Sequence, residues 1–147
     1  MSSSLSLSSA NKIVFEALAE ARRTKLAPLV VCVLDAGGQL VAFAREDGAS
    51  LLREHIARGK AFGALGIGIS TRAITENAAV RPAFWQSVFA SGQVIASPGG
   101  VLILQDGKIV GAVGVSGDAP DEDESVAIHG ISAAKLACSP AARVAKL

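Results

Sequence analysis

The clearest pattern in the chain is a pair of apolar runs joined by a short polar turn, and it occurs twice. The second copy joins residues 101–104 to residues 109–115 through Asp106-Gly107. Asp-Gly is a strong hairpin signal, because a type I′ turn needs a positive φ at both central residues. The runs are nearly continuous in Val, Ile, Leu, Ala and Gly. We therefore predict a central hairpin covered by helices on one face and by more helix or a second subunit on the other.

The first copy joins residues 30–34 to residues 39–44 through Asp35-Ala36-Gly37-Gly38. Two such units are too few for a solenoid, which needs at least three stacked repeats. They are enough for one antiparallel sheet of four or five strands with helices packed on it. We predict an α/β fold of this kind, and one domain spanning residues 1–147.

The segments around the hairpins predict five helices. We expect them after a cap at Ser8 or Ser9, from a cap at Ser50 to about residue 65, from Ser70 to about residue 79, from Pro82 onward, and from Asp121 to about residue 137.

Composition adds an expectation of assembly. Hydrophobic residues make up 50% of the chain, charged residues only 18%, and the mean hydropathy is +0.44. No apolar run approaches the ~18 residues of a membrane span. We therefore predict that the apolar excess is buried in a homo-oligomer and in a pocket for a small-molecule ligand.

Charge and the N-terminal segment narrow the function classes. Lys and Arg number 14 against 13 Asp and Glu, so the basic excess typical of nucleic-acid binding is missing. Residues 1–10 lack the basic and apolar regions of a signal peptide, which predicts a cytoplasmic protein. Cys32 and Cys138 form no metal-binding or disulfide pattern, and we expect reduced structural thiols.

Common catalytic motifs are absent from the sequence, so candidate chemistry rests on single residues. Lys60 lies beside the buried face of the second predicted helix. It either extends its ammonium to solvent or serves a site. His55 on the same helix and His129 near the C-terminus are lone histidines without a second ligand at i+4.

Two clusters are open to either a structural or a functional interpretation. Phe84, Trp85 and Phe89 form either a core helix or the wall of a ligand pocket. The second cluster is the acidic segment 118–124, with Glu124 at its end. It is interpreted mainly as helix capping and solvated charge, with a cation site or general base as the alternative.

Four stretches carry a family resemblance: VCVLDAGGQLVAFAREDGA, IARGKA, SPGGVLILQDGKIVGAVGVSG and DEDESVAIHGISAA. Together they resemble the small haem-degrading-domain family, which includes GlcG proteins, HbpS proteins and the C-terminal domain of some PduO-type proteins. The resemblance implies a profilin-like fold, a higher homo-oligomer, and binding or breakdown of haem in some members. The positions that match recurring family motifs are Asp35, Arg45, Lys60, Gly99, Gly100, Gly117, Asp123 and Glu124.

Two functions follow from this resemblance. In the first, haem is bound with Phe84, Trp85 and Phe89 as contact surface and Gly99-Gly100 nearby. A histidine, preferentially His55, ligates the iron, and Arg45 or Lys60 pairs with the propionates. In the second, a cytoplasmic enzyme of isomerase or lyase type acts on a small carboxylic acid, which Arg45 and Lys60 hold. There His55 or an acidic residue such as Glu124 transfers a proton.

Overall fold

Five strands form one antiparallel sheet in a computed structural model that describes residues 4–141. The strands are β1 (Val30–Asp35), β2 (Leu40–Arg45), β3 (Gly100–Gln105), β4 (Lys108–Ser116) and β5 (Ala137–Ser139), in the order β2-β1-β4-β3-β5. The helices are α1 (Leu7–Arg23), α2 (Arg53–Ile67), α3 (Thr71–Val80), α4 (Pro82–Ala90) and α5 (Pro120–Ala133). The predicted α/β fold with four or five antiparallel strands is confirmed, with five.

Both predicted hairpins are present. Asp106 and Gly107 have φ values of 52° and 76°, the positive values that the type I′ turn between β3 and β4 requires. In the β1–β2 turn, Oδ1 of Asp35 accepts hydrogen bonds from the backbone N–H groups of Gly37 and Gln39, both at 3.0 Å. The side chain of Asp35 therefore fixes the turn locally.

Helices cover both faces of the sheet, as the continuous apolar runs predict. Val31 and Val33 of β1 belong to the core beneath α1 and α5, while Val30, Cys32 and Leu34 belong to the core beneath α2. Helix α2 packs so closely on β4 that a Cβ on Gly114 would lie 1.8 Å from the Ala57 carbonyl oxygen. Only glycine fits at that point.

Several element boundaries differ from the sequence prediction. The first helix is capped by Ser6, whose side chain accepts from Ser9 N–H, instead of by Ser8 or Ser9. Helix α2 begins at Arg53, and its cap position Leu52 has no side-chain cap bond, so Ser50 is not its cap. The last helix ends at Ala133 because the chain turns at Lys135, where φ is 60°. Ala137, expected at the end of this helix, instead begins β5 on the edge of β3.

The helices are also too short or too polar for a membrane. Within residues 4–141, none has both the length and the apolar character needed to span a bilayer.

Candidate functional site

A buried ion pair joins the two helical layers at one end of the sheet. Lys60 of α2 donates a hydrogen bond from Nζ to Oδ2 of Asp123 in α5, at 3.1 Å, and another to the Val115 carbonyl oxygen, at 2.9 Å. The Lys60 and Asp123 side chains are 3% and 1% exposed. Lys60 therefore does not extend its ammonium into solvent.

The two glycines of the Gly99-Gly100 loop close over Lys60. A Cβ on Gly99, whose φ is 127°, would lie 2.8 Å from Lys60 Nζ, and a Cβ on Gly100 would lie 2.4 Å from the Lys60 carbonyl oxygen. Thr71 secures the loop: its Oγ1 accepts from Gly100 N–H at 2.7 Å. These glycines are buried, and they place backbone against Lys60 where no other residue type fits.

Burial shifts both partners of this pair toward their neutral forms. Desolvation lowers the pKa of Lys60, opposed by the charge of Asp123. Desolvation also raises the pKa of Asp123, opposed by Lys60 and by the Asp118 N–H that donates to Oδ1 at 2.9 Å. The two shifts run in opposite directions, so burial brings the pKa values of Lys60 and Asp123 closer together.

A second ion-pair network links α3 to α5. Nε of Arg72 donates to both carboxylate oxygens of Glu124, at 3.0 and 2.9 Å, and Nη2 of Arg72 donates to Asp121. The hydrogen bond to Glu124 is the main reason why the pKa of Arg72 is raised above its usual value. Sequence reasoning missed Arg72. Its position in the first turn of a helix is the sequence feature that could have identified it. The helix dipole disfavours a cation there unless an acidic partner lies nearby.

The acidic segment divides into buried and exposed members. Asp123 and Glu124 are 1% and 6% exposed and paired with Lys60 and Arg72. The interpretation as solvated charge is therefore wrong for these two residues, because the first turn of α5 faces the end of the sheet and α3. Asp121 and Glu122 are exposed, as that interpretation expects.

A cavity of about 500 Å³ lies along α5 and opens to solvent on one side. His129 faces it with its imidazole 44% exposed, and its Nε2 lies 3.8 Å from Glu20 Oε2 of α1. The remaining lining residues come from α3, α5 and the C-terminal segment: Arg72, Asp121, Glu124, Ser125, Ile128, Ser132, Pro140 and Ala141. We call this space the α5 cavity.

Other candidate residues lie apart from this cavity. His55 is exposed on α2 and lines neither the α5 cavity nor a second cavity of about 400 Å³. Arg45 lines the second cavity and donates to the Ala49 carbonyl oxygen at 2.5 Å. Lys60, buried and bound to Asp123, does not line that cavity, so the structure does not bring Arg45 and Lys60 to one cleft.

The aromatic cluster is partly core and partly surface. Trp85 is 5% exposed, Phe84 is 47% exposed, and their ring centroids lie 5.5 Å apart. Phe89 is half-buried, 5.9 Å from the Trp85 ring. Trp85 Nε1 is buried without a hydrogen-bond partner among the described residues. Phe84 is the most exposed of the three rings, and Arg81 Cζ lies 4.5 Å from its centroid.

Nothing in residues 4–141 assembles a protein metal centre. No group of three or more His, Cys, Asp or Glu side chains is placed to hold an ion there. Cys32 is buried and Cys138 is half-buried.

Comparison with known protein sequences finds relatives of this chain. An uncharacterised 15.0 kDa protein encoded between dhaT and dhaS in Citrobacter freundii is 31% identical over 103 residues, covering 68% of this chain and 71% of the relative. Corrinoid adenosyltransferase PduO of the same organism is 28% identical over 109 residues. The match covers 72% of this chain but only 32% of PduO.

Solved structures share the fold. The PduOC–haem complex superposes with a TM-score of 0.83 at 24% identity, covering 91% of this chain and 97% of that one. An HbpS double mutant from Streptomyces reticuli gives a TM-score of 0.80 at 26% identity, covering 90% and 88%. The family model described as haem degrading protein HbpS-like matches residues 5–132. The chain therefore belongs to the HbpS-like family, as its motifs predict.

Proposed function

We propose that this protein binds haem in the α5 cavity. Its volume of about 500 Å³ is within the range of small-molecule sites. Its wall combines apolar groups of Ile128, Pro140 and Ala141 with one imidazole, that of His129. The single observation that carries the proposal is this imidazole beside apolar groups in an open cavity, in a member of the HbpS-like family.

The side chains that line the cavity include groups that can bind haem. An imidazole nitrogen is a common axial ligand of haem iron, and apolar side chains suit a porphyrin face. His129 would hold the iron and Ile128 would exclude water from the ring. Bound haem would supply an iron centre for electron transfer or oxygen chemistry, tuned by its axial ligand and surroundings. His129 replaces His55 as the preferred ligand, because His129 lines the α5 cavity and His55 lines neither described cavity.

Assembly into a homo-oligomer is part of the proposal. Leu40, Phe43 and Phe62 are 47%, 37% and 38% exposed. Phe43 pairs with Cys32 and Leu40 pairs with Leu34, so both lie on the face of the sheet that α2 covers. Phe62 of α2 lies beside the turn that precedes β2, because a Cβ on Gly38 would be 3.4 Å from its ring. We call these three residues the β2 patch, and it offers apolar surface for a second copy.

A second function, proton transfer on a small carboxylic acid, is favoured by the Lys60–Asp123 pair. Buried ionisable pairs with opposing pKa shifts are frequent at catalytic sites. Lys60 already has a protein carboxylate as its partner, so it would exchange protons with Asp123 instead of binding the substrate carboxylate. Glu124 is bound to Arg72 in the same way.

Titration of the purified protein with haem, followed by absorbance, tests the main proposal. We expect a saturable Soret change with one haem per chain. A linear, unsaturable increase that matches free haem would refute it. Turnover of small carboxylic acids by the parent protein, without any haem binding, would favour the second function.

A further inference from the structure

Arg72 is held in the α5 cavity by two carboxylates that differ sharply in burial. The Glu124 side chain is 7% exposed and binds Nε, whereas the Asp121 side chain is 79% exposed and binds Nη2. The Arg72 side chain itself is 23% exposed and lines the cavity. One partner is therefore fixed in the interior and the other is at the surface.

The Nη side of this guanidinium retains donor capacity. Arginine carries five N–H donors. Among the described residues, Nε donates to Glu124 and Nη2 to Asp121, and Nη1 has no hydrogen-bond partner. Bidentate binding of a carboxylate needs two such donors in one plane. Because exposed ion pairs contribute little, Asp121 can return to water when another carboxylate takes its place.

We propose that Arg72 is the carboxylate-recognition residue of the α5 cavity and that Asp121 is an exchangeable competitor for it. Glu124 stays bound to Nε and keeps the guanidinium in position. The ligand class is a small or flat molecule bearing a carboxylate at its edge, which includes a haem propionate. This inference rests on the proposed function for its choice of ligand.

The charges around Arg72 predict the direction in which a substitution of Asp121 changes carboxylate binding. Asp121 and Glu124 leave the cluster with one net negative charge, which repels an incoming carboxylate. Removing the charge of Asp121 should therefore strengthen binding, an effect opposite to that expected if Asp121 were a ligand-binding residue. Glu122 is also exposed, is adjacent in sequence and lies outside the cavity lining, so it is the matched control.

The test compares haem with haem dimethyl ester, in which both propionates are neutral, by absorbance titration. We expect Asp121→Asn to tighten haem binding about threefold or more, with no change for the ester or for Glu122→Gln. Arg72→Gln should weaken haem binding about tenfold or more and affect the ester less. Equal effects of Asp121→Asn and Glu122→Gln, or equal weakening of both ligands in Arg72→Gln, would overturn the inference.

The variants also separate this inference from the proposed function. Arg72→Gln leaves Glu124 buried without its partner and can destabilise the fold, whereas Asp121→Asn removes only an exposed partner. If haem binds saturably but is indifferent to both substitutions, the recognition role of Arg72 fails and haem binding stands. If neither haem nor its ester binds saturably, both proposals are overturned.

Discussion

Nζ of Lys60 lies 3.1 Å from Oδ2 of Asp123, in an interior where neither side chain is more than 3% exposed. The pair connects α2, which covers one face of the sheet, to α5, which covers the other. Removing one member of a buried pair leaves an uncompensated charge, which typically costs about 3–5 kcal/mol.

We predict strong coupling between these two residues. Lys60→Met and Asp123→Asn should each lower the free energy of unfolding by about 3–5 kcal/mol. The double variant should lose less than the sum, because neither charge remains and the asparagine still accepts from Asp118 N–H. Urea denaturation of the four proteins measures this cycle. Additive losses would show that the pair does not act as a unit.

The sequence predicts local structure here much better than it predicts this pair. Asp106-Gly107 identifies its hairpin because the turn depends on two adjacent residues. Lys60 and Asp123 are 63 positions apart, and Arg72 and Glu124 are 52 apart, so their spacing carries no sign of contact. Strand β5 has three residues, too few for alternation to distinguish it from the end of a helix. The sequence therefore indicates Lys60, Asp123 and Glu124 as candidate residues, but it indicates neither their pairing nor Arg72.

We predict that the stability of the folded protein depends on pH through the thiol of Cys32. Burial in the sheet raises the pKa of its thiol from 9.0 to about 11. Between pH 9 and 11 the thiol keeps its proton in the folded state but loses it in the unfolded chain. The stabilisation that Cys32 contributes to the folded state is therefore complete below pH 9 and is lost as the pH rises toward 11. That loss is about 2–3 kcal/mol.

The measurement compares unfolding free energies of the parent and Cys32→Val across this pH range. Their difference isolates the thiol from other titrating groups, including Lys60. We expect the parent to lose more stability than the variant between pH 9 and 11. Parallel curves would show that the Cys32 thiol titrates normally in the folded protein.

Two glycines offer a matched test of helix packing. Gly114→Ala would place a methyl 1.8 Å from the Ala57 carbonyl oxygen and should prevent α2 from seating on β4. Gly66 lies in α2 with nothing within 4 Å of its Cβ position, so Gly66→Ala should be neutral or stabilising by about 0.5–1 kcal/mol. Thermal melts monitored by circular dichroism distinguish them. A Gly114→Ala protein that melts like the parent would contradict the observed packing.

Assembly through the β2 patch is tested at Phe43. Phe43→Ser removes apolar surface from the patch, and we expect a shift toward smaller species in light scattering. Val80→Ser is the control, because Val80 is 80% exposed on α3 and outside the patch. Raising the salt concentration should leave the parent assembly intact, since apolar burial is not screened. A monomeric parent protein at micromolar concentration would exclude this assembly.

The spectrum of the haem complex tests the central claim most directly, through the histidines that could ligate the iron. The chain has two histidines: His129, which lines the α5 cavity, and His55, which does not. The measurement is the Soret spectrum of the parent, His129→Ala and His55→Ala at saturating haem. We predict that His129→Ala shifts the band and weakens binding, while His55→Ala matches the parent. A normal spectrum in His129→Ala, or a shift only in His55→Ala, would contradict haem ligation in the α5 cavity.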